Sequence, residues 1–433
     1  MSYNSDDVLR TPCCGDERKA IMSVNYAKFN EIDIESFDAV VVGSGFAGSV
    51  VARQLADMAD MKVLIIEKRP HIAGNMYDEY DDAGILVHRY GPHIFHANSQ
   101  RVFNYLRQFS GWLGYQHHVL ADWYGTYMPV PFNKNSMEIA FGPEKAAHLV
   151  QKLVDTYGDE RKVTINELRE SNDEELAEVA DFVYKNVFLY YTQKQWGQTP
   201  EEVDPSVTAR VPVFISRDDR YFQDTYQGMP IYGYTKLFEE MLGHDNITVC
   251  LNTDATGVFD LEFLDGSEDS KLKSISILGK AFEGPIVYTG PLDELFIGRF
   301  GRLPYRSLDF VYETYDEEYK LPCGTVNYTV TEDYTRITEF KHLTGQKAPN
   351  TTIMKEYSRA YEDPDRQIPY YAILNDENVA HYERYRALTE SLPNFHLIGR
   401  LAEYKYYNMD KIVENALDLS RELVAAAKER PSR

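Results

Sequence analysis

A glycine-rich turn between two apolar strands constrains the fold of this chain more than any other feature of its sequence. Ala39–Val42 is a short apolar run, the segment Gly43–Gly48 (GSGFAG) follows it, and apolar residues then recur at helical spacing as far as Asp60. A second apolar run, Lys62–Ile66, ends in Glu67. Strand, turn, helix and strand within about 30 residues form a βαβ unit. The pattern predicts a parallel sheet of Rossmann type that binds a dinucleotide.

Each glycine of this turn has a steric reason. The first makes the tight turn, the second lets the backbone approach a pyrophosphate, and the third lets the helix pack closely on the strand. The pyrophosphate would then meet free N–H groups at the helix N-terminus. Glu67 follows Gly48 by about 20 residues, the position from which a carboxylate accepts hydrogen bonds from ribose hydroxyls. An acidic residue there also repels a 2′-phosphate, which disfavours NADP.

Two further features favour FAD over NAD. Arg69–Asn75 contains a second glycine-bearing turn directly after Glu67, as is common where an extended flavin cofactor lies across the lobe. Gly399 and Arg400 precede a C-terminal amphipathic helix and suit a second approach of the chain to the cofactor. Neither feature decides the matter alone.

Charge and cysteine content exclude several classes of function. The formal net charge is −23, and such a chain lacks the basic surface that nucleic-acid binding needs. No run of 18 or more apolar residues occurs, so no membrane span is predicted. Met1–Arg10 is polar and lacks the apolar stretch of a secretory signal. Cys13, Cys14, Cys250 and Cys323 lack metal-ligand spacing, so we predict a cytoplasmic protein with reduced thiols and no metal site.

The rest of the sequence predicts a helical insertion and an antiparallel sheet. Residues 99–200 are mostly of helical pattern, whereas 325–331 and 335–340 alternate as antiparallel strands do. We therefore predict an α/β protein with a discontinuous Rossmann-type FAD-binding domain, a helical insertion and an antiparallel sheet domain. The predicted bounds are 1–36 for a flexible N-terminal extension, 37–98, 226–296 and 392–433 for the FAD-binding domain, 99–206 for the helical substrate domain, and 207–225 and 297–391 for the sheet domain with a substrate-closing loop.

A series of further motifs identifies a family that this sequence resembles. They are YGPHIFH at 90–96, YTQKQWG at 191–197, RVPV at 210–213, YF at 221–222, QGMP at 227–230, GRL at 301–303, YR at 305–306, LDF at 308–310, YTRITE at 334–339, KEYSRA at 355–360, IPYY at 368–371 and GRL at 399–401. Chance does not supply so many motifs in one order. From about Asp38 to the C-terminal helix, the chain resembles bacterial UDP-galactopyranose mutases.

The resemblance implies an isomerase that interconverts UDP-galactopyranose and UDP-galactofuranose. In that family FAD is bound non-covalently and must be reduced, and its N5 attacks the anomeric carbon of the sugar as UDP leaves. The resulting adduct opens, the ring recloses through another hydroxyl and UDP returns, so no net redox occurs. The cofactor is then the nucleophile. The predicted partners are a UDP-sugar substrate, an unidentified reductant (NAD(P)H or a flavin reductase) and a second copy of the chain in a homodimer.

The motifs also place the functional residues of the family in this sequence. Arg210 and Arg336 correspond to its two diphosphate-binding arginines, and Arg210 lies in a proline-marked loop expected to close over the substrate. His93 corresponds to the histidine beside the flavin ring. These three are the implied catalytic residues. The implied substrate-binding residues are Phe188, Tyr191, Trp196, Arg210, Tyr221, Arg336, Tyr371 and Tyr406. The implied cofactor-binding residues are Gly43, Gly45, Phe46, Ala47, Gly48, Glu67, Lys68, Gly74, Asn75, His93, Arg400, Asn408 and Met409.

Each of these assignments has a structural alternative. An arginine more often pairs with a surface carboxylate, and a lone histidine is usually structural. Phe188 and Tyr406 would also suit packing in a core. Three positions depart from the family pattern: His117 replaces an asparagine, Phe214 a basic residue and Asn408 an aspartate.

Two other kinds of enzyme and one non-catalytic function stay open. A sister mutase would act on another UDP-pyranose, such as UDP-N-acetylgalactosamine. An FAD-dependent oxidoreductase of the amine-oxidase type would share the FAD lobe but give net redox, and its hydrophobic substrates would need neither paired arginines nor a uracil-stacking motif. A non-catalytic nucleotide-binding module would lack turnover altogether.

Overall fold

The computed structural model describes residues 23–198 and 212–429. Six strands form the parallel sheet that the βαβ pattern predicts. All residues of Ala39–Val42 and Val63–Ile66 are buried, as expected for a sheet covered on both faces. The strand order is Asn25–Tyr26, Ile247–Cys250, Val63–Ile66, Ala39–Val42, Ile286–Tyr288 and Phe395–Leu397.

Two helices pack side by side against this sheet. The helix Phe46–Ala59 starts at the glycine turn and buries Val50, Val51 and Leu55 completely. The C-terminal helix Met409–Glu429 packs along it and contributes to the same core. Each fully buried aliphatic side chain stabilises such a core by about 1.5–3 kcal/mol. The predicted α/β class with a Rossmann-type unit is confirmed.

The segment before the first predicted strand takes part in the same sheet. Asn25–Tyr26 pairs in parallel with Ile247–Cys250, and the Asn25 side-chain amide donates a 3.0 Å hydrogen bond to the Thr248 hydroxyl. Ile34 is 2% exposed and packs under the sheet. Residues 23–36 were predicted as part of a flexible extension, and within them the strand Asn25–Tyr26 and the side chain of Ile34 are held against the sheet by edge pairing and apolar burial. A strand of two residues has no period by which its sequence could be recognised.

The helical segment that carries Tyr191 is interrupted. An α-helix covers Glu174–Val183, a π-helical stretch covers Tyr184–Leu189, and a second α-helix covers Tyr190–Trp196. Gly197 ends the last helix with a φ of 68°. A π-helical turn widens the helix and shifts the direction of the side chains that follow it, and such turns are frequent at functional sites.

Seven strands form the second large sheet. Val119–Trp123 and Thr126–Val130 belong to it, although they lie inside the segment predicted as the helical domain. Tyr124 and Gly125 join them with φ values of 51° and 85°, the positive values that a two-residue hairpin turn requires. The pairing of Val119–Trp123 with Thr325–Tyr328 is parallel, and the other pairings are antiparallel. The order is Tyr371–Ala372, Tyr305–Tyr315, Thr351–Ala360, Arg336–Glu339, Thr325–Tyr328, Val119–Trp123 and Thr126–Val130.

In the two described stretches of the chain, no helix has both the length and the apolar character needed to cross a membrane. The domain bounds given above stay a prediction. The other helices are Phe29–Glu31, Ile34–Ser36, Gly74–Met76, Gln100–Leu106, Lys134–Phe141, Pro143–Tyr157, Ile165–Glu170, Tyr234–Leu242, Ala255–Gly257, Leu292–Leu295, Phe340–Thr344 and Asp376–Thr389. The other strands are Asp78–Tyr80, Leu86–His88, Phe95–Ala97, Trp112–Leu113, Lys162–Val163, Val213–Phe214, Tyr226–Pro230, Phe259–Phe263, Leu272–Ile277 and Lys280–Ala281.

Candidate active site

The glycines of the nucleotide turn occupy positions where a side chain does not fit. Gly43 has a φ of 97°, and a Cβ there would lie 2.1 Å from the hydroxyl oxygen of Thr289. A Cβ on Gly48 would lie 2.0 Å from the Gly43 carbonyl oxygen, so the helix and the strand pack as closely as predicted. Gly45 is the N-cap of the helix Phe46–Ala59 and has no side chain to cap it. The first N–H groups of the helix are therefore left for an anionic group.

Glu67 connects this turn to the second glycine turn. Its buried carboxylate accepts hydrogen bonds from the backbone N–H of Ser44 (2.8 Å), the hydroxyl of Ser44 (2.7 Å) and the backbone N–H of Arg69 (2.9 Å). Gly74 has a φ of 56°, and a Cβ there would lie 3.0 Å from the Cα of Gly45. The two turns thus meet at the carboxyl edge of the parallel sheet, where nucleotides bind in this architecture.

Two other predicted cofactor residues are engaged by neighbouring side chains. The Asn75 side-chain oxygen accepts a 2.8 Å hydrogen bond from Arg69. The Lys68 ammonium lies 3.1 Å from the Asp254 carboxylate and 3.2 Å from that of Glu294. The charge of Lys68 is therefore balanced within the protein, and its contribution to cofactor binding stays a prediction.

The C-terminal motif returns the chain to the same turn. Gly399 has a φ of 106°, and a Cβ there would lie 3.5 Å from the Cβ of Ala47. Arg400 donates a 2.7 Å hydrogen bond from Nε to a backbone carbonyl oxygen, and the Asn408 carbonyl oxygen accepts the first hydrogen bond of the helix that begins at Met409. These residues fit a dinucleotide cofactor, because the glycine turns leave room for a pyrophosphate at a helix N-terminus.

His93 is held as a neutral imidazole by its surroundings. Its Nδ1 lies 2.8 Å from the Gly91 carbonyl oxygen, which only accepts, so Nδ1 carries the proton. Burial lowers the pKa of His93 to about 3, and the charges of His88 and Arg400 act in the same direction. At neutral pH His93 therefore offers an unprotonated Nε2, which is a hydrogen-bond acceptor.

Arg336 connects several of the predicted substrate residues. One of its terminal nitrogens donates a 2.7 Å hydrogen bond to the Tyr191 hydroxyl, and its Nε lies 3.2 Å from the buried carboxylate of Glu356. Burial lowers the pKa of Arg336, but Glu356 together with the nearby phenols of Tyr191, Tyr371 and Tyr221 more than offsets this, so the net pKa is raised and the guanidinium stays charged. The side chain is still 25% exposed. A guanidinium held in this way can bind the oxygens of a diphosphate.

Aromatic rings line the space beside Arg336. The ring of Tyr371 lies between those of Trp196 and Tyr406, with centres 5.6 Å and 5.9 Å away. Arg400 lies 4.8 Å over the ring of Tyr406. Burial and a nearby carboxylate raise the pKa of the Tyr371 hydroxyl, so this hydroxyl stays protonated and can donate to phosphate. The predicted substrate residues thus adjoin Arg400 of the predicted cofactor group.

Tyr221 reaches this region from another loop. Its backbone N–H donates a 2.7 Å hydrogen bond to the His117 carbonyl oxygen, and the two rings meet edge to face at 5.7 Å. His117 is 5% exposed, and its Nδ1 lies 3.1 Å from the Tyr115 hydroxyl. Burial, together with the charge of Arg336, lowers the pKa of His117 to about 3. The residue that departs from the family pattern is therefore a neutral imidazole beside the predicted diphosphate site.

Phe188 and Phe214 are both buried. Phe188 is 5% exposed and packs inside the helical lobe, and its role in substrate binding stays a prediction. Phe214 is also 5% exposed, in the strand Val213–Phe214 that pairs with Lys162–Val163. Arg210 and the closing loop predicted around it lie outside the described residues.

Three charged residues of this site were not predicted from the sequence. Glu356 is 2% exposed and balances Arg336. Lys194 and Arg306 bind backbone carbonyl oxygens around the helix that carries Tyr191. The signal that could have found Glu356 is a carboxylate in a strand of buried residues, since a buried charge needs a partner.

Comparisons with known proteins agree with this arrangement. A family model described as UDP-galactopyranose mutase matches residues 186–406, and one described as NAD(P)-binding Rossmann-like domain matches residues 41–109. A probable UDP-galactopyranose mutase of Klebsiella pneumoniae is 35% identical over 390 residues, which are 89% of this chain and 94% of that protein. A dTDP-fucopyranose mutase of Escherichia coli is 33% identical over 395 residues, covering 90% of this chain and 99% of that protein.

A solved structure shows the same fold. The crystal structure of a reduced UDP-galactopyranose mutase matches with a TM-score of 0.63 at 15% identity, covering 91% of this chain and 95% of that one. The Rossmann-like match contains the first glycine turn, and the mutase match contains both Tyr191 and Arg336. The chain therefore belongs to the UDP-galactopyranose mutase family.

Proposed function

We propose that this chain interconverts UDP-galactopyranose and UDP-galactofuranose, with non-covalently bound FAD as its cofactor. The contact between Arg336 and Tyr191 carries the proposal. It joins a charged group suited to a diphosphate with an aromatic ring suited to a base, in a chain of the mutase family. The glycine turns of the Rossmann-like unit supply the cofactor site.

Arg336 is proposed to bind the diphosphate and to stabilise UDP as it leaves. A guanidinium matches pairs of phosphate oxygens and neutralises the charge that develops on them. The buried Glu356 carboxylate lies 3.2 Å from Nε and balances the charge of the guanidinium. In a chain with a formal net charge of −23, an anionic substrate depends on such a local positive group. By resemblance, Arg210 is the second diphosphate arginine.

The surrounding rings are proposed to hold the rest of the substrate. Tyr191 stacks on uracil, since its ring has a flat face and its hydroxyl is already fixed by Arg336. Tyr371, Tyr406 and Tyr221 donate hydrogen bonds to the diphosphate without adding full charges, while Trp196 lines the entrance and excludes water.

The cofactor site is proposed to hold FAD in an extended form. Gly43, Gly45 and Gly74 leave space for the pyrophosphate, and Glu67 lies at the strand end where ribose hydroxyls bind. His93 offers a neutral acceptor nitrogen to the ring system. Reduced FAD supplies an electron-rich ring nitrogen that acts as a nucleophile toward the sugar.

The full-length purified protein tests this function directly. It should carry a yellow flavin that is released as FAD on denaturation, and it should convert UDP-galactofuranose to UDP-galactopyranose only after chemical reduction. Separation of the two sugar nucleotides by chromatography measures the conversion. Equal activity of the oxidised protein, or consumption of one NAD(P)H for each product formed, would contradict the proposal.

The sugar nucleotide is decided by the same assay. The similarity to a dTDP-fucopyranose mutase makes dTDP-fucopyranose a third candidate beside UDP-galactopyranose and UDP-N-acetylgalactosamine. Comparing kcat/KM for the three identifies the substrate. The reductant (NAD(P)H or a flavin reductase), the homodimer and the cytoplasmic location stay predictions.

A further inference from the structure

Lys194 lies on the same helix as Tyr191 and connects it to a neighbouring hairpin. Its ammonium donates hydrogen bonds to the carbonyl oxygens of Tyr328 (2.5 Å), Glu332 (2.8 Å) and Tyr334 (3.1 Å). Tyr328 ends the strand Thr325–Tyr328, and Glu332 and Tyr334 lie in the turn that leads to the strand Arg336–Glu339. The second of these strands begins with Arg336, so Lys194 ties the Tyr191 helix to the hairpin that presents Arg336.

A second cation holds the other side of this helix. Arg306, on the strand Tyr305–Tyr315, donates to the carbonyl oxygens of Gln195 (3.1 Å) and Lys194 (3.3 Å). The Ser358 hydroxyl also donates to the Gln195 carbonyl oxygen, at 2.6 Å. Cations at the C-terminal end of a helix bind its free carbonyl groups and favour its dipole. The helix is thus fixed between two strands of one sheet.

We propose that Lys194 is a positioning residue of the nucleotide site, which sets the separation between the Tyr191 ring and the Arg336 guanidinium. This inference rests on the proposed function, because it assumes that these two side chains bind the base and the diphosphate of one ligand. Without Lys194, the hairpin that presents Arg336 would lose three hydrogen bonds to the Tyr191 helix, although Arg306 and Ser358 would still hold this helix to two other strands of the sheet. The hairpin could then move relative to the helix, and the two subsites would no longer match the length of a nucleoside diphosphate.

The protonation state of Lys194 gives this role a distinct signature. An ammonium has three donors for three carbonyl oxygens, whereas a neutral amine has two donors and a lone pair that repels the third. Burial lowers the pKa of Lys194 to about 8, with the carboxylates of Glu332 and Asp333 acting in the opposite direction. The anchoring should therefore weaken as the pH rises through this value.

Among the described residues, two phenols and a guanidinium also lie near Lys194. Burial raises the pKa of the phenols of Tyr328 and Tyr334 above their ordinary value. Burial and the charge of Arg359 lower the pKa of the Arg306 guanidinium, but an arginine in a protein is not deprotonated in this pH range. A loss of UDP affinity between about pH 7 and about pH 9 that depends on residue 194 is thus attributable to Lys194.

Lys341 provides a matched control in the same sheet domain. Its ammonium also donates to three carbonyl oxygens, those of Glu318 (2.5 Å), Ala348 (2.6 Å) and Asn350 (3.0 Å). It is 1% exposed and contacts none of the predicted substrate residues in the described part of the chain. Lys341→Met therefore removes an equivalent set of three buried hydrogen bonds. It should lower the stability of the protein without changing its affinity for UDP.

The experiment measures UDP affinity by calorimetry for the FAD-loaded full-length protein and its variants. Lys194→Met should weaken UDP binding by about tenfold, the effect of roughly one charge-assisted hydrogen bond. Lys341→Met should bind UDP as the unchanged protein does. Lys194→Arg stays charged at every pH used, so its affinity for UDP should not change between about pH 7 and about pH 9. The affinity of the unchanged protein for UDP should fall over the same range.

The possible outcomes separate this inference from the proposed function. If the unchanged protein does not bind UDP, the proposed function fails. If UDP binds but Lys194→Met and Lys341→Met have equal affinity, the positioning role is wrong. If Lys194→Met does not fold, the comparison of the pH profiles decides, and parallel profiles for Lys194→Arg and the unchanged protein would overturn the inference.

Discussion

The guanidinium of Arg336 donates a 2.7 Å hydrogen bond to the hydroxyl of Tyr191, and 145 positions of sequence separate the two residues. One residue begins a strand of the seven-stranded sheet, and the other lies on the helix that follows the π-helical stretch. Their contact joins the sheet lobe to the helical lobe at the predicted nucleotide site. It also makes the effects of substituting each residue specific and measurable.

Replacing Arg336 should abolish most of the affinity for UDP. Arg336→Ala removes the diphosphate donor and leaves the buried Glu356 carboxylate without its partner, a loss of about 2–5 kcal/mol by analogy with truncated charge pairs. Arg336→Lys should recover only part of this, because lysine cannot donate in a fork. Calorimetry of UDP binding measures the loss, and the absorbance of bound flavin shows whether the fold is kept.

Arg359 offers the control for this substitution. It lies on the neighbouring strand Thr351–Ala360 and pairs with Asp309 on the surface, where both side chains are about half exposed. Arg359→Ala should change UDP affinity by less than about 0.5 kcal/mol, since exposed ion pairs contribute little. A similar loss for Arg359→Ala and Arg336→Ala would show that overall charge, rather than the Arg336 contact, attracts UDP.

A side chain at Gly48 should prevent cofactor binding. The Cβ of Gly48→Ala would lie 2.0 Å from the Gly43 carbonyl oxygen and 2.9 Å from a Val41 methyl group, so the helix must move away from the strand and the glycine turn must open. In contrast, a Cβ at Gly257 meets no atom within 4 Å. The flavin-to-protein absorbance ratio after purification should collapse in Gly48→Ala and stay normal in Gly257→Ala. Retention of flavin by Gly48→Ala would place the cofactor elsewhere.

The free energy of unfolding should decrease as the pH falls, because His117 is buried in its neutral form. The pKa of His117 in the folded protein is about 3, below the ordinary value of about 6.5, so the unfolded chain binds more protons between these values. The free energy of unfolding therefore rises with pH in this window. At about pH 5, keeping His117 neutral and buried lowers the free energy of unfolding by about 2 kcal/mol relative to neutral pH.

The pH effect is measured as the difference in Tm between about pH 7 and about pH 5. His117→Asn should lose less stability over this interval than the unchanged protein does. The neighbouring His118 is exposed, so His118→Asn should behave as the unchanged protein. Identical pH dependence in all three proteins would mean that His117 is protonated in the fold.

Local patterns explain why much of the fold was predictable. The run Ala39–Val42, the glycine turn and the run ending at Glu67 are each encoded by neighbouring residues, and the structure has a strand, a helix and a strand there. The hairpin formed by Val119–Trp123 and Thr126–Val130 was missed because its turn, Tyr124-Gly125, lacks the usual Asn or Asp before glycine. The edge strand Asn25–Tyr26 is too short to show a period.

The interactions of the candidate site were less predictable for a different reason. Arg336 and Tyr191 were identified by resemblance, but the pairing of Arg336 with Glu356 and the three carbonyl oxygens bound by Lys194 depend on how strands and helices pack. Phe188 illustrates the same limit: the resemblance implied a binding role, and only the packing of the helical lobe shows that its ring is buried. Non-local contacts of this kind leave no mark in a single sequence.

Substitutions of Tyr191 should separate the contribution of its ring from that of its hydroxyl. Tyr191→Ala removes the stacking surface and should cost about 1–3 kcal/mol in the binding of uridine as well as UDP, the usual effect of losing one base–aromatic stack. Tyr191→Phe keeps the ring, so uridine should bind almost normally. UDP should bind more weakly to this variant, because Arg336 loses the acceptor that orients one of its terminal nitrogens. Tyr190, 49% exposed on the same helix, is the control, and Tyr190→Ala should bind both ligands normally. Equal losses of uridine binding in Tyr191→Phe and Tyr191→Ala would show that the ring of Tyr191 is not the base platform.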